Sequence, residues 1–252
     1  MKTAIITGAS SGLGAEFAGQ IRGVFPEIQH LFLTARRLDR LEALKNELEG
    51  VTVCAVEADI TTEEGLDRLF GQLDADGDEL YMLINNAGMG DLGDFDKSDP
   101  AKQQSIIDTN ISALTAVTRR ALEHMCPGGR IINVSSIASF VPNARMAVYS
   151  ASKYYVRAFS RALGYELKSR DIAVTVVCPG PMSTEFLKVA NILHNSKTFE
   201  TLPYTDVRKV AAGTLNASKK GRPIYTPGFL FKLYRVLSGI IPDTIFMRFA
   251  KT

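Results

Sequence analysis

The sequence is poor in residues that form disulfides or bind metals. Its three cysteines, Cys54, Cys126 and Cys178, lie far apart without a CxxC pair, which favours buried thiols in a reducing compartment. Its three histidines are equally scattered, and no two of them have the spacing of metal ligands. The sequence therefore predicts no metal site.

The sequence also lacks a strong charge imbalance and a long apolar run. The formal net charge is +2, whereas a dedicated nucleic-acid-binding protein usually carries a basic stripe. The apolar stretch near the first residue stops at Gly8, too early for a signal peptide, and no window reaches the length of a membrane span. We therefore expect a cytoplasmic protein that binds no nucleic acid.

No internal repeat, low-complexity stretch or linker divides the sequence, so we expect a single domain over residues 1–252. Short apolar runs, such as residues 4–6, 31–33 and 81–84, alternate with helical patterns. This alternation predicts an α/β fold in which a seven-stranded parallel sheet carries helices on both faces. Such a sheet usually binds ligands at the carboxyl ends of its strands.

Two long helices are predicted over about residues 103–125 and 148–169. A later helix, about residues 206–219, has Asp206 in a position to cap it, and residues 223–225 are predicted as the seventh strand.

The segment TGASSGLG, residues 7–14, connects the first predicted strand to the first helix. Glycines permit a tight turn and let backbone amides approach a pyrophosphate, and the helix N-terminus adds a partial positive charge. We therefore predict that this loop binds dinucleotide phosphates. The residues assigned to it are Gly8, Ser10, Ser11, Gly12, Leu13 and Gly14.

The same loop allows a second interpretation. Residues 8–12 fit G-x-S-x-G, the nucleophile elbow of α/β hydrolases, with Ser10 as the nucleophile. No upstream segment is present to supply the second oxyanion donor, and Gly14 is better explained by a pyrophosphate. We keep a serine hydrolase as the weaker alternative.

Further short motifs follow in order. NNAG occupies residues 85–88 after the fourth predicted strand, YxxxK occupies residues 149–153, and PGxxxT occupies residues 179–184 after the sixth strand. With the TGxxxGxG loop, these motifs resemble those of the short-chain dehydrogenase/reductase family over about residues 3–226. The resemblance implies a three-layer Rossmann fold and an oxidoreductase that moves a hydride between NAD(P)(H) and a carbonyl/alcohol pair.

The resemblance also implies which other residues contact the cofactor. These are Asp59 and Ile60 after the third strand, Asn86, Ala87 and Gly88 after the fourth, Tyr149 and Lys153, and Pro179, Gly180, Met182 and Thr184 after the sixth.

Carbonyl reduction needs a hydride on carbon and a proton on oxygen. Tyr149 would donate that proton, and in the reverse direction it would act as the base. The pKa of a free tyrosine is about 10, too high for a base at neutral pH. Lys153 lies one helical turn further on, and its positive charge would favour the phenolate and lower that pKa.

Two more residues complete the catalytic set implied by the resemblance. Ser136 would orient the substrate oxygen; it is preferred to Ser135 because the family usually places this serine thirteen residues before the tyrosine. Asn110 would hold a water in a proton relay through Lys153, which by resemblance also bonds the nicotinamide ribose. A protein that binds the cofactor without turnover is the alternative, and the intact Ser136, Tyr149 and Lys153 argue against it.

The end of the second predicted strand bears on cofactor choice. NAD-binding members usually carry an acidic residue there, whereas this chain has Ala35 followed by Arg36 and Arg37. A guanidinium suits a 2′-phosphate through charge-assisted hydrogen bonds, and Ser10 could add a hydroxyl contact. The sequence therefore favours NADP(H) over NAD(H).

Two apolar segments bear on substrate and partners. Residues 185–205 are predicted to form a mobile lid whose apolar side chains suggest a hydrophobic carbonyl substrate. Residues 228–252 form an apolar tail that Pro242 divides into two short helices. We expect this tail to pack over the substrate site, with peripheral membrane contact as the alternative because basic residues accompany it.

A homodimer or homotetramer is also expected. By resemblance, its subunits would pair through the two long helices, and Val156, Phe159, Leu163 and Leu167 recur along one face of the second helix. The same side chains could equally pack on this chain's own sheet.

Overall fold

The computed structural model describes residues 1–192 and 195–249. Positions 193–194 of the predicted lid and positions 250–252 of the predicted tail therefore lie outside the described residues.

Within the described residues, one parallel sheet has the order β3-β2-β1-β4-β5-β6-β7. The chain reverses its direction of sheet growth between β1 and β4, which lie side by side, and such a switch point is the usual binding crevice of an open α/β sheet. The strands are β1 (Lys2–Thr7), β2 (Ile28–Ala35), β3 (Thr52–Glu57), β4 (Glu79–Asn85), β5 (Met125–Val134), β6 (Ala173–Val177) and β7 (Ile224–Tyr225).

Helices cover both faces of the sheet, so the predicted three-layer Rossmann fold is confirmed. They are α1 (Gly12–Val24), α2 (Leu38–Glu47), α3 (Glu63–Asp76), α4 (Pro100–Ile107), α5 (Leu114–His124), α6 (Ala147–Glu166), α7 (Glu185–Val189), α8 (Lys197–Thr201), α9 (Val207–Lys219), α10 (Phe229–Leu237) and α11 (Asp243–Phe249).

The side chains of β1 show how the two faces divide. Successive residues of a strand point to opposite faces. Ile6 packs in the core with Phe17 of α1 and Leu215 of α9, and Ile5 packs in the opposite core with Leu69 of α3 and Val117 of α5. An almost continuous apolar strand is therefore buried on both sides, as a parallel sheet requires.

The first long helix differs from the prediction in its start and its continuity. It begins at Pro100, because Asp99 caps it and proline suits the first helical turn. A π-helical turn, Asp108–Ala113, then separates α4 from α5. Single π turns inside helices frequently mark functional sites. The later prediction that Asp206 caps a helix is confirmed: its carboxylate accepts the amide hydrogens of Arg208 and Lys209.

Two smaller expectations can be compared with the structure. Of the two alternatives for the face of the second long helix, packing within this chain is the one observed: Val156, Leu163 and Leu167 are buried in its own core, and Phe159 is partly buried against it. All three cysteines are free, but only Cys178 is buried; Cys54 in the edge strand β3 and Cys126 at the start of β5 are partly exposed.

Candidate active site

The loop after β1 presents backbone amides to a cavity. Gly8 and Gly12 have φ values of 64° and 55°, in the left-handed region that glycine adopts without strain. The first amides of a helix have no partner within the helix, and Ser11 at the N-cap makes no side-chain capping bond in α1. The loop therefore keeps open the donors that would bind a pyrophosphate.

Asn86 of the NNAG motif supports this loop from the next strand. Its Nδ2 donates to the carbonyl oxygens of Thr7 and Gly8 at 3.1 and 3.0 Å. A Cβ on Gly14 would lie 2.6 Å from that same Nδ2, so only glycine permits the helix to approach so closely. Thr7 adds a contact that the sequence reasoning missed, although it opens the motif: its Oγ1 accepts the amides of Asn86 and Ala87, both at 3.1 Å.

A cavity of about 880 Å³ runs along the carboxyl ends of the strands. Its volume is within the range of small-molecule and cofactor sites. The cavity brings together most of the residues predicted to bind the cofactor or substrate. They are Gly8, Ser10, Ser11, Gly12, Leu13, Arg36, Arg37, Asp59, Ile60, Asn86, Ala87, Gly88, Ser136, Tyr149, Lys153, Pro179, Gly180, Met182 and Thr184. Gly14 and Asn110 do not line the cavity themselves but contact residues that do, Asn86 and Met89 respectively.

Charged residues gather at the end of the cavity nearest β2 and β3. Arg37, rather than Arg36, turns toward the loop: its Nη2 donates to Ser10 Oγ and Ser11 Oγ at 3.1 and 3.2 Å. Asp59 accepts hydrogen bonds from the backbone amide and hydroxyl of Thr61. Burial alone would raise the pKa of Asp59, but these bonds and the positive charge of Arg36 outweigh it and lower the pKa.

Tyr149 and Ser136 meet in the middle of the cavity. Both side chains line the cavity, and the Ser136 hydroxyl is near enough to the Tyr149 phenol to lower its pKa. The neighbouring Ser135 is turned away and donates instead to the backbone carbonyl of Lys153 at 2.8 Å, which ties α6 to the end of β5. Of the two adjacent serines, therefore, only Ser136 is available to a substrate oxygen beside the phenol.

Lys153 lies one turn after Tyr149 on α6. Its Nζ is 5.8 Å from the centroid of the Tyr149 ring and donates to the carbonyl oxygen of Val134 at 3.0 Å. Burial lowers the pKa of Lys153 to about 8, because a low-dielectric site disfavours the ammonium. Lys153 is thus charged at neutral pH but loses its charge in mildly alkaline solution.

The pKa of Tyr149 moves in the direction opposite to the expected one. Burial raises the pKa of Tyr149 to about 12, and the hydrogen bond from Ser136 opposes this rise only in part. The expected lowering by Lys153 is absent from this geometry, because the ammonium is directed to Val134 and lies on the ring side. In this geometry the phenol is therefore protonated at neutral pH.

Asn110 sits in the π turn and is almost completely buried. Its Nδ2 donates to Met89 O at 2.8 Å and to Ser152 Oγ at 2.9 Å, and its Oδ1 accepts the Met89 amide at 2.8 Å. Both amide hydrogens and one lone pair of Oδ1 are thus used in holding the loop after β4, which leaves the second lone pair of Oδ1 as the side-chain group that could bind a water of the predicted relay.

The other end of the cavity is apolar. The ring of Phe186, on α7 of the predicted lid, lies 5.8 Å from the Tyr149 ring. A Cβ on Gly90 would lie 2.7 Å from Phe186 and 3.1 Å from Tyr149, so this glycine, which the sequence did not single out, leaves room for both rings. Further lining comes from Met146, Leu187, Ile192, Phe199, Leu202, Leu230, Phe231, Tyr234 and Phe246.

The C-terminal tail closes this apolar end with one face of α10. Phe231 is buried against Gly180, where any Cβ would collide with the Phe231 ring. The opposite face of the tail is open: Phe229, Val236 and Ile240 are 83%, 52% and 75% exposed. Among the described residues, no helix combines the length and apolarity needed to cross a membrane.

The hydrolase alternative finds no support in the described residues. The hydroxyl of Ser10 accepts a hydrogen bond from Arg37. The two described histidines pair with carboxylates elsewhere, His30 with Asp78 and His124 with Asp74, so neither serves as a base for Ser10.

Comparison with known proteins gives the family. The sequence model of the family described as short chain dehydrogenase matches residues 2–192. The chain is 36% identical over 192 residues to a sulfoacetaldehyde reductase from Chromohalobacter salexigens, covering 73% of this chain and 74% of the relative. It is 32% identical over 219 residues to the 17-beta-hydroxysteroid dehydrogenase type 3 of Homo sapiens, covering 83% of this chain and 68% of the relative.

A solved structure supports the same family assignment. A short-chain dehydrogenase from Sphingobium yanoikuyae in complex with NADPH matches this chain with a TM-score of 0.78 at 29% identity, over 96% of this chain and 97% of that one. Fold and sequence therefore point to the same group of proteins.

Proposed function

This chain belongs to the short-chain dehydrogenase/reductase family of nicotinamide-dependent oxidoreductases acting on alcohol and carbonyl groups, and we propose that it interconverts a hydrophobic, uncharged ketone and its alcohol with NADP(H). The observation that carries the proposal is that Tyr149 and Ser136 line one cavity together, between a phosphate-binding loop and an apolar pocket.

When bound, the nicotinamide cofactor supplies the hydride that reaches the carbonyl carbon. Tyr149 donates its phenolic proton to the carbonyl oxygen, and the Ser136 hydroxyl holds that oxygen in place. The high pKa of Tyr149 keeps this proton on the phenol before reaction. Lys153, one helical turn away, is positively charged at neutral pH, and the phenolate left behind takes a proton back from solvent.

In the direction of alcohol oxidation, Tyr149 must lose its proton first. A pKa of about 12 makes this unfavourable near pH 7, so oxidation depends on a second positive charge beside the phenol. The oxidised nicotinamide would provide that charge. The site therefore supports reduction as the easier direction at neutral pH.

The preference for NADP(H) rests on positive charge at the β2 end of the cavity. Arg36 and Arg37 line it together with Ser10, and no acidic side chain stands at Ala35, where NAD-binding members usually carry one. We propose that Arg37 and Arg36 bind the 2′-phosphate. The similar Sphingobium yanoikuyae dehydrogenase is in complex with NADPH.

The substrate class follows from the lining of the pocket beside Tyr149. The relatives named above act on substrates as different as sulfoacetaldehyde and 17-beta-hydroxysteroids, so similarity alone does not choose between a small anion and a bulky neutral molecule. Phe186, Phe199 and Phe231 make this end of the pocket apolar. An anionic substrate would lose its hydration there without gaining a partner charge, which favours the bulky neutral ketone.

A cofactor and substrate screen tests this proposal. NADPH and NADH oxidation would be followed spectrophotometrically over aliphatic, aromatic and polycyclic ketones, with sulfoacetaldehyde as the anionic comparison. We expect the highest kcat/KM with NADPH and a bulky neutral ketone. A higher kcat/KM on sulfoacetaldehyde would contradict the substrate class, and the absence of turnover with every substrate would favour a regulatory protein that binds cofactor without turnover.

A further inference from the structure

Three charged side chains meet where the predicted lid begins. The Glu185 carboxylate accepts a hydrogen bond from Arg37 Nη2 at 3.0 Å through one oxygen and pairs with Arg40 through the other. The arginines follow β2 in sequence, whereas Glu185 is the first residue of α7, 148 and 145 residues later. The cluster therefore joins the lid to the cofactor end of the cavity.

Arg37 is shared between this cluster and the phosphate loop. The two hydrogens of the same Nη2 are shared among three acceptors, because Ser10 Oγ and Ser11 Oγ lie within hydrogen-bond distance of it as well as the Glu185 carboxylate. Ser10, Ser11, Arg37 and Glu185 all line the large cavity, whereas Arg40 does not. The guanidinium that faces the cofactor end is thus already paired with an anion belonging to the protein.

Glu185 is negatively charged at neutral pH and stays so in mildly acidic solution. Hydrogen bonds from Arg40 and then Arg37 lower the pKa of Glu185 to about 2. Both partners are about half exposed, so the pairing is of the moderate strength typical of surface ion pairs and can be exchanged.

We propose that Glu185 is an internal counter-anion that competes with the 2′-phosphate of NADP(H) for Arg37 and thereby sets the margin between NADPH and NADH. The inference rests on the proposed function in one respect, that a 2′-phosphate approaches Arg37. A carboxylate and a phosphate at the same guanidinium edge repel each other, so Arg37 exchanges one for the other. NADH has no phosphate at this position and leaves the Arg37–Glu185 pair intact.

Arg40 is a positioning residue in this exchange. It contacts the second oxygen of Glu185 and keeps the carboxylate paired after Arg37 turns to the phosphate. Without Arg40, Glu185 depends on Arg37 alone and competes with the phosphate more strongly. The two substitutions are therefore expected to shift NADPH affinity in opposite directions.

Equilibrium binding to the full chain measures the competition directly. In Glu185→Gln, the Kd for NADPH is expected to fall about two- to five-fold, the range that a surface ion pair corresponds to, while the Kd for NADH stays constant. In Arg40→Gln, the Kd for NADPH is expected to rise by a similar factor. The Arg40→Gln effect should disappear when Glu185→Gln is also present.

The titrations follow cofactor fluorescence at low ionic strength, with Glu200→Gln, an exposed carboxylate elsewhere in the lid, as the matched control. Adenosine 2′,5′-bisphosphate and AMP, which differ only by the 2′-phosphate, serve as further probes that isolate this group. Weaker NADPH binding in Glu185→Gln would overturn the inference, because Glu185 would then be orienting Arg37 for the phosphate. An unchanged ratio of the two Kd values would overturn it as well.

The result also separates this inference from the proposed cofactor preference. If the wild-type protein binds NADH more tightly than NADPH, the preference proposed above is wrong. If Glu185→Gln still tightens NADPH alone in that protein, the competition stands, and Glu185 is the residue that imposes the NADH preference.

Discussion

Lys153 combines two demands that oppose each other. The site needs a positive charge next to the cofactor and the phenol, yet it is buried, and burial depresses the pKa of Lys153 from 10.5 to about 8. At 1.36 kcal/mol per pKa unit, this corresponds to a cost of roughly 3 kcal/mol to the folded protein at neutral pH. Active sites commonly sacrifice stability for function in this way.

Lys153→Met should therefore stabilise the fold while abolishing turnover. A folded-state pKa below the unfolded value means that the cost is complete below about pH 8 and disappears as the pH rises toward 10.5. After loss of the hydrogen bond to Val134, we expect a net gain of about 1 kcal/mol in the free energy of unfolding at pH 7. Urea unfolding without cofactor at pH 7 and pH 10 measures it; a variant less stable than wild type at both pH values would contradict the account.

The same pKa predicts how NADPH capture depends on pH. The value of kcat/KM for NADPH reports groups of the free enzyme. We expect it to fall above about pH 8, as Lys153 loses its proton, while Tyr149 stays protonated up to about pH 12. Circular dichroism at each pH would verify that the protein stays folded. A profile that stays flat to pH 10 would show that Lys153 does not have to be charged.

At the residue scale, the sequence predicted which residues line the cavity better than it predicted which residues their side chains contact. Tyr149, Lys153 and Ser136 could be selected as candidates because they lie at fixed distances along the chain, and all three line the cavity. The sequence did not indicate that Arg37 pairs with Glu185. These two residues are 148 positions apart, and no local pattern encodes such a contact. The direction of the Tyr149 pKa shift was missed because it depends on burial and on the orientation of Lys153.

Among the secondary-structure elements, α10 connects the tail to the cofactor segment. Its inner face places Phe231 on the backbone of Gly180, and its outer face leaves Phe229 exposed. Tyr234 of the same helix makes edge-to-face ring contacts with Phe140 and Phe246, so α10 also anchors α11. The sequence predicted two short helices around Pro242, but the amphipathic pattern alone did not say which face would be covered.

Phe231→Ala and Phe229→Ala form a matched pair on this helix. Phe231→Ala opens a hole beside Gly180 and in the wall of the apolar pocket, so it should lower the unfolding free energy by about 3 kcal/mol and raise KM for bulky ketones. Phe229→Ala removes a ring that is exposed in the single chain and should change the stability of the monomer, measured at high dilution, by less than about 0.5 kcal/mol. Chemical unfolding and ketone kinetics test both, and equal effects of the two substitutions would contradict this placement of α10.

For the whole molecule, the alternation of strands and helices was sufficient to predict the seven-stranded sheet and its layers. Which apolar side chains are exposed on the surface was not predictable. Val156, Leu163 and Leu167, the candidates for a subunit contact, belong to this chain's own core. The apolar side chains exposed on the open face of the tail are instead Phe229, Val236 and Ile240. A cytoplasmic location remains a prediction.

We propose that this open face is a contact between subunits of a homodimer or homotetramer. Light scattering at micromolar concentration should then give a mass of two or four chains, and Ile240→Glu should lower it by placing a charge in the apolar contact. A monomer that sediments with anionic liposomes through the same face would replace the oligomer with peripheral membrane contact.

We propose Tyr149 as the acid and base of a hydride-transfer enzyme, and one comparison of variants tests this role most directly. Tyr149→Phe removes the phenolic proton and little else, so kcat should fall by about 10²- to 10⁴-fold while the Kd for NADPH changes by less than about two-fold. Tyr155→Phe is the control, because Tyr155 lies on the same helix but bonds Thr115 outside the cavity, and it should keep full activity. If Tyr149→Phe keeps more than a few per cent of wild-type kcat, the assignment of Tyr149 is wrong.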